Sequence, residues 1–180
     1  MYFDNDIELR FPRCVLYIKT VLQPKRLKTQ NAKTWNAFLR ACKVEKWAIT
    51  ALTYAAGPRI LVREGMVPLP NNGQACGRHV LIKAMGVNQV HLASKIMQAY
   101  EYGYTYPPDD LQNARQLEAT LLHELVHWAR DMAGLSSEHI NDDSIDPDLF
   151  GEAGELFEFW AYNRRFCTVK DIEAGQSSIF

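Results

Sequence analysis

The chain has 180 residues, 47% of them hydrophobic and 23% charged, with a formal net charge of −1. Those values suit one globular domain with a sizeable core, and near-neutrality without blocks of one sign gives no electrostatic case for nucleic acid or an anionic membrane surface. No apolar run approaches the roughly 20 residues a membrane span needs, and residues 1–10 carry acids and lack the apolar core of a Sec signal peptide.

In chain order, Cys14 to Ile18 is rich in β-branched and aromatic residues and predicts a short strand. Asn31 to Lys43 predicts an amphipathic helix through Trp35, Phe38, Leu39 and Cys42. Ala48 to Ala56 is apolar, of undecided type, and ends at Gly57-Pro58. Ile60 to Val62 predicts a strand, and 68–77, centred on Pro70-Asn71-Asn72-Gly73, a loop. His79 to Ile82 and Gln89 to Leu92 predict a hairpin around Gly86, followed by a helix from Ala93 to Tyr102. Tyr104, Tyr106 and Pro107-Pro108 belong to an aromatic connector. Asp109 or Asp110 then caps a long helix running to Ala133 and stopping at Gly134. Asp146-Pro147 has the chemistry of an N-cap and first helical position for a last helix through Trp160. The four cysteines, Cys14, Cys42, Cys76 and Cys167, form no C-x-x-C pair, so neither a zinc ribbon nor a redox motif is present.

The long helix carries His123-Glu124-Leu125-Val126-His127. Residues four apart stand one above the other on a helix, so His123 and His127 can offer two imidazoles to one ion. Glu124 lies about a hundred degrees round the helix, within reach of a water on that ion. Zinc with three protein ligands keeps a position for water and lowers its pKa to about 7. The spacing therefore predicts one Zn2+ per chain, with Glu124 as the general base. Leu117, Leu121, Leu122, Leu125, Trp128 and Met132 recur at helical spacing and place the motif on a half-buried helix.

The last helix offers Glu152, Glu155 and Glu158 for the third ligand. Leu149, Ala153, Leu156, Phe157 and Trp160 form its core face, and Glu155 points away from it. Glu152 and Glu158 flank that face. Glu158 is the choice, because Gly154 and Ala161 beside it allow close approach to the motif helix; Glu152 is the alternative.

The run from His123 to Leu135 resembles the active-site helix of thermolysin-type gluzincins, which also carry an Asp four residues after the second His and end in Ala-Gly-Leu. Their third ligand is a Glu in a following helix, within a Glu-x-Gly-x-x-x-Glu run, and Glu152 to Glu158 has that spacing, which again favours Glu158. The resemblance covers 121–162. Tyr162 replaces the family's acidic residue four past the ligand, which leaves Asp131 as the expected partner for a ligand imidazole and Tyr162 itself as the weaker alternative. By analogy, Gln89 to Leu92 is the strand that aligns a peptide substrate. His139, Tyr104 and Tyr162 are the candidates for stabilising an oxyanion, and none is assigned that role.

The same motif with its later Glu-x-Gly-x-x-Phe-Glu also resembles the compact metallopeptidase domains of bacterial polymorphic toxins. The resemblance implies a zincin-like α+β fold: a small twisted, mostly antiparallel sheet packed on the active-site helix, with a third-ligand helix after it. Residues 1–180 form one domain on this reading, with 1–108 bearing the sheet and 109–180 the two site helices. It implies a zinc endopeptidase that cleaves protein or peptide substrates using His123, His127, Glu158 and Glu124. It further implies an effector exported without a Sec signal peptide, by type VI secretion or on a larger carrier, and delivered into target cells, with a cognate immunity protein. The alternatives are a cytosolic regulatory metalloprotease and a non-catalytic binding module whose zinc is structural; the latter needs a fourth protein ligand, for which Glu152 is the nearby donor.

Overall fold

Two prolines and an asparagine start three of the helices that open the chain. In a computed structural model, which describes residues 1–64, 77–82, 87–103, 110–137, 140–141 and 150–163, strand β1 (Tyr2–Phe3) precedes helices α1 (Asn5–Arg10), α2 (Pro12–Val21), α3 (Pro24–Gln30), α4 (Ala32–Cys42) and α5 (Glu45–Leu52). Pro12 and Pro24 occupy the first helical position of α2 and α3, where a missing N–H costs nothing. Asn31 caps α4 by accepting from the Thr34 N–H at 3.3 Å, and Lys43 closes it in the left-handed region at φ 64°.

The strand expected over Cys14 to Ile18 is therefore helix. In a strand, positions 14, 16 and 18 would share a face; here Cys14 and Ile18 are buried while Leu16 is 63% exposed. Phe11, Cys14, Val15, Ile18 and Leu22 are the buried set, at helical spacing. The start of α2 is secured from far along the chain. The buried Glu101 carboxylate accepts from the Arg13 N–H at 3.2 Å and the Cys14 N–H at 3.0 Å.

Strands β2 (Arg59–Arg63), β3 (Gly77–Ile82) and β4 (Val87–Ala93) follow, then helix α6 (Ser94–Tyr102). The sheet order is β1-β2-β4-β3. The predicted hairpin is present, with β3 antiparallel to β4 and His79 opposite Val90. The rest corrects the expectation of a mostly antiparallel sheet: β1 with β2 and β2 with β4 are parallel, with Ile60 opposite Val90. Connection length explains the difference. A short link from β3 to β4 permits only antiparallel pairing, whereas β1 reaches β2 through five helices and β2 reaches β4 past the whole of β3. Strand β4 has a neighbour on both sides, so Gln89 to Leu92 cannot be the substrate-aligning edge. Among the described residues β3 is paired on one side only.

Helix α7 (Asp110–Met132) lies against β3, β4, α5 and α6, burying Leu117, Leu121, Leu122, Leu125, Val126 and Trp128. It stops where glycine allows: Gly134 has φ 72°, and the Leu135 N–H reaches back to the Arg130 carbonyl at 2.9 Å. The buried Arg130 guanidinium ties this end to α4, donating to the Ala41 carbonyl at 2.8 Å and the Ser136 carbonyl at 2.7 Å. Short strands β5 (Ile140–Asn141) and β6 (Phe150–Gly151) pair antiparallel before helix α8 (Ala153–Tyr162). The last helix thus starts later than expected. Asp146, Pro147 and Leu149 lie outside the described residues, and Phe150–Gly151 is strand. The capping is done by Glu152, whose side chain accepts from the Glu155 N–H at 3.0 Å. Helix α8 packs on α4 and α7, with Phe157 edge-on to Phe38 at 6.0 Å between centroids. Cys14 and Cys42 are buried free thiols. No helix among the described residues is long and apolar enough to cross a membrane.

Candidate metal centre

Helical periodicity puts His123 and His127 one turn apart on α7, and their rings stand 5.1 Å apart between centroids. Helix α8 runs antiparallel to α7 and comes unusually close. A Cβ on Gly154 would lie 2.5 Å from His123 Cδ2, so only glycine fits against the ring.

That approach delivers two carboxylates to the two sides of one imidazole. Glu152 Oε1 lies 2.9 Å from His123 Nε2, and its Oε2 lies 2.5 Å from His127 Nε2. One carboxylate therefore spans both imidazoles. Glu158, buried on α8, places Oε1 at 2.9 Å from His123 Nδ1, the opposite ring nitrogen. His123, His127 and Glu152 together offer three ligand atoms within 4.8 Å of one another. Two imidazole nitrogens and a carboxylate oxygen suit a divalent ion such as zinc. Glu124, next along α7, is buried beside His123 and contributes to its electrostatic field.

The charges are mutually dependent. Burial alone would lower the His123 pKa, but hydrogen bonds to Glu152 and Glu158 raise it well above its ordinary value. Burial alone would raise the Glu152 carboxyl; hydrogen bonds from His123 and His127 outweigh it and hold that group well below the usual carboxylate range. A carboxylate facing two imidazoles from a half-buried position is an anion whose natural partner is a cation.

The sequence-predicted residues are distributed as follows. His123, Glu124 and His127 sit together on α7. Glu158 reaches His123 through Nδ1, and Glu152 faces both Nε2 atoms. Glu158 is the partner of the His123 ring at Nδ1. The Tyr162 hydroxyl donates to Glu118 at 2.8 Å. His91 lies on β4 with its Nε2 3.1 Å from Gln89 Oε1. Tyr104 and His139 lie outside the described residues. Glu118 was passed over by sequence reasoning, although it interrupts the stripe Leu121, Leu122 and Leu125 at helical spacing, and a carboxylate in an apolar stripe is a signal.

A helix carrying paired imidazoles and an adjacent buried glutamate, met by carboxylates from a second helix, is the working part of a metal-dependent hydrolase. The comparison with protein families agrees and narrows it. The family described as metallopeptidase toxin 3 matches residues 8–163, and the chain belongs to it. The protein is thus a metallopeptidase with a mostly helical α+β fold. No curated protein and no solved structure matches the chain.

Proposed function

We propose that the protein is a zinc endopeptidase of the gluzincin type within a zincin-like fold. His123, His127 and Glu152 hold the ion, and Glu158 orients His123. The observation that carries this is the placement of the single Glu152 carboxylate across both Nε2 atoms. With its proton on Nδ1, His123 donates to Glu158 and keeps the Nε2 lone pair for the metal. The Glu158 expected as third ligand thereby takes the supporting role, and Glu152 the direct one.

Zinc, when bound, supplies Lewis acidity toward the scissile carbonyl and the attacking water. Glu124 accepts the proton of that water and passes it to the leaving amide nitrogen. Strand β3, paired on one side only among the described residues and in contact with α7, supports main-chain pairing with an extended peptide. The family places the chain among toxins. Its targets are then proteins of a cell into which it is delivered, by type VI secretion or on a carrier, and an immunity protein shields the producer.

The deciding experiment measures zinc content and casein cleavage for the wild type and Glu124→Gln, alongside bacterial growth when each is expressed in cytoplasm or periplasm. About one zinc in both proteins, with cleavage and toxicity only in the wild type, is expected. Equal cleavage by both removes Glu124 from the mechanism; equal growth removes the toxin reading while leaving the peptidase.

A further inference from the structure

We propose that Tyr162 and Glu118 are positioning residues for the metal centre, forming a polar rung beyond it that sets the register of α8 on α7. The inference rests on the ligand assignment just given. Along the antiparallel pair, each step down α8 is answered by a step up α7. Glu152 meets His127 and His123, Glu158 meets His123, and the Tyr162 hydroxyl meets Glu118 Oε1 at 2.8 Å.

Apart from the Gly154 contact at His123, the apolar contacts between these helices are a weak guide to register: Ala153, Phe157 and Ala161 are buried in the common core, and apolar burial is non-directional. Glu118 is directional. It is 6% exposed, and a carboxylate so deep is tolerated only with its oxygens hydrogen-bonded. Tyr17 on α2 donates to Oε2 at 2.8 Å, which satisfies the oxygen that does not face α8. Three helices, α2, α7 and α8, therefore meet at one buried carboxylate. A slip of α8 by one turn, about 5.4 Å, would strand Glu118 and carry Glu152 off the imidazoles together. Setting register is the best-attested use of a buried polar group.

The test compares Tyr162→Phe with Tyr17→Phe, which removes the other hydrogen bond of the same carboxylate but not the link to α8. Zinc affinity is measured by chelator competition, the cobalt-substituted protein by visible absorption, and thermal stability by circular dichroism. Tyr162→Phe is expected to weaken zinc binding about 10–100-fold, as loss of supporting partners of a metal site does, and to alter the cobalt bands. Tyr17→Phe should lower Tm while keeping the affinity within about threefold of wild type, with unchanged bands. Wild-type affinity and cobalt spectrum in Tyr162→Phe, whatever its Tm, would overturn the proposal. Should Tyr162→Phe not fold, the variant Tyr17→Phe/Glu118→Leu/Tyr162→Phe decides. Exchanging a whole buried polar group for apolar residues commonly preserves folding, so weaker zinc binding supports the rung and unchanged binding overturns it. Full zinc binding by Glu152→Ala would instead refute the ligand assignment.

Discussion

Gly154 lies against the face of the His123 imidazole, so close that a Cβ would stand 2.5 Å from Cδ2 and 2.6 Å from Nε2. Within a helix, alanine is ordinarily better than glycine by about 0.5–1 kcal/mol. Here the ring cannot turn aside, because Nδ1 is engaged by Glu158 and Nε2 by Glu152. Gly154→Ala is therefore expected to reverse the usual sign, destabilising the protein by about 1–3 kcal/mol through overpacking. It should also strip the metal. Urea unfolding with parallel zinc analysis checks both; a more stable, fully loaded variant would contradict the contact.

Glu152 and Glu158 should separate cleanly by substitution. Glu152→Ala removes a ligand and the α8 cap together, so zinc is lost and stability falls by about 1 kcal/mol. Glu158→Gln keeps an acceptor near Nδ1 and leaves the Nε2 side intact. It should retain zinc with affinity reduced about 10–100-fold. Elemental analysis after extensive dialysis, followed by competition titration, distinguishes the two. Zinc lost with Glu158→Gln and kept with Glu152→Ala would put Glu158 on the ion.

How far the sequence could be read follows from how local each interaction is. The pairing of His123 with His127 needs only helix periodicity, and the value of Gly154 needs only its size, so both were legible. The balance between Glu152 and Glu158 was not. A helical wheel started at Asp146 treats Glu152 as a helical residue, whereas it is the cap, with extended backbone at φ −76° and ψ 164°, and its carboxylate swings toward both rings. The β3–β4 hairpin was visible because its connection is short; parallel pairing of β2 with β4 depends on a long excursion that leaves no local trace. Helix α2 was misread for a related reason. Its β-branched residues suit a strand, and the carboxylate that secures its first turn, Glu101, lies 87 residues downstream of Cys14.

Glu101 supplies a control that should leave the metal centre alone. Its carboxylate accepts two backbone N–H groups in the first turn of α2, where negative charge also complements the helix dipole. Glu101→Gln keeps the shape but loses the charge and one acceptor. A loss of about 1–2 kcal/mol in urea unfolding is expected. Zinc stoichiometry and affinity should match the wild type; a zinc defect would show that α2 and the metal site are coupled more tightly than their separation suggests.

The ionisation of the centre predicts opposite pH responses with and without metal. In the metal-free protein, His123 is raised from its ordinary 6.5, so its contribution to stability is complete below that pH and is lost as pH rises through the higher folded value. Glu152 is lowered from its ordinary 4.5, so its contribution is complete above that pH and is lost as pH falls through the lower folded value. Both act in full between 4.5 and 6.5, and the contribution of the pair should decline on the alkaline side of that window. Zinc reverses the trend. It needs the His123 nitrogen without a proton, so binding at neutral pH must expel the proton that the carboxylates retain there. Zinc affinity should then rise about tenfold per pH unit up to the folded His123 pKa. Calorimetric titration at pH 7 in two buffers of different ionisation heat should report about one proton released per zinc. No buffer dependence would mean that His123 is already neutral, and that the charge on Glu152 is balanced in some other way.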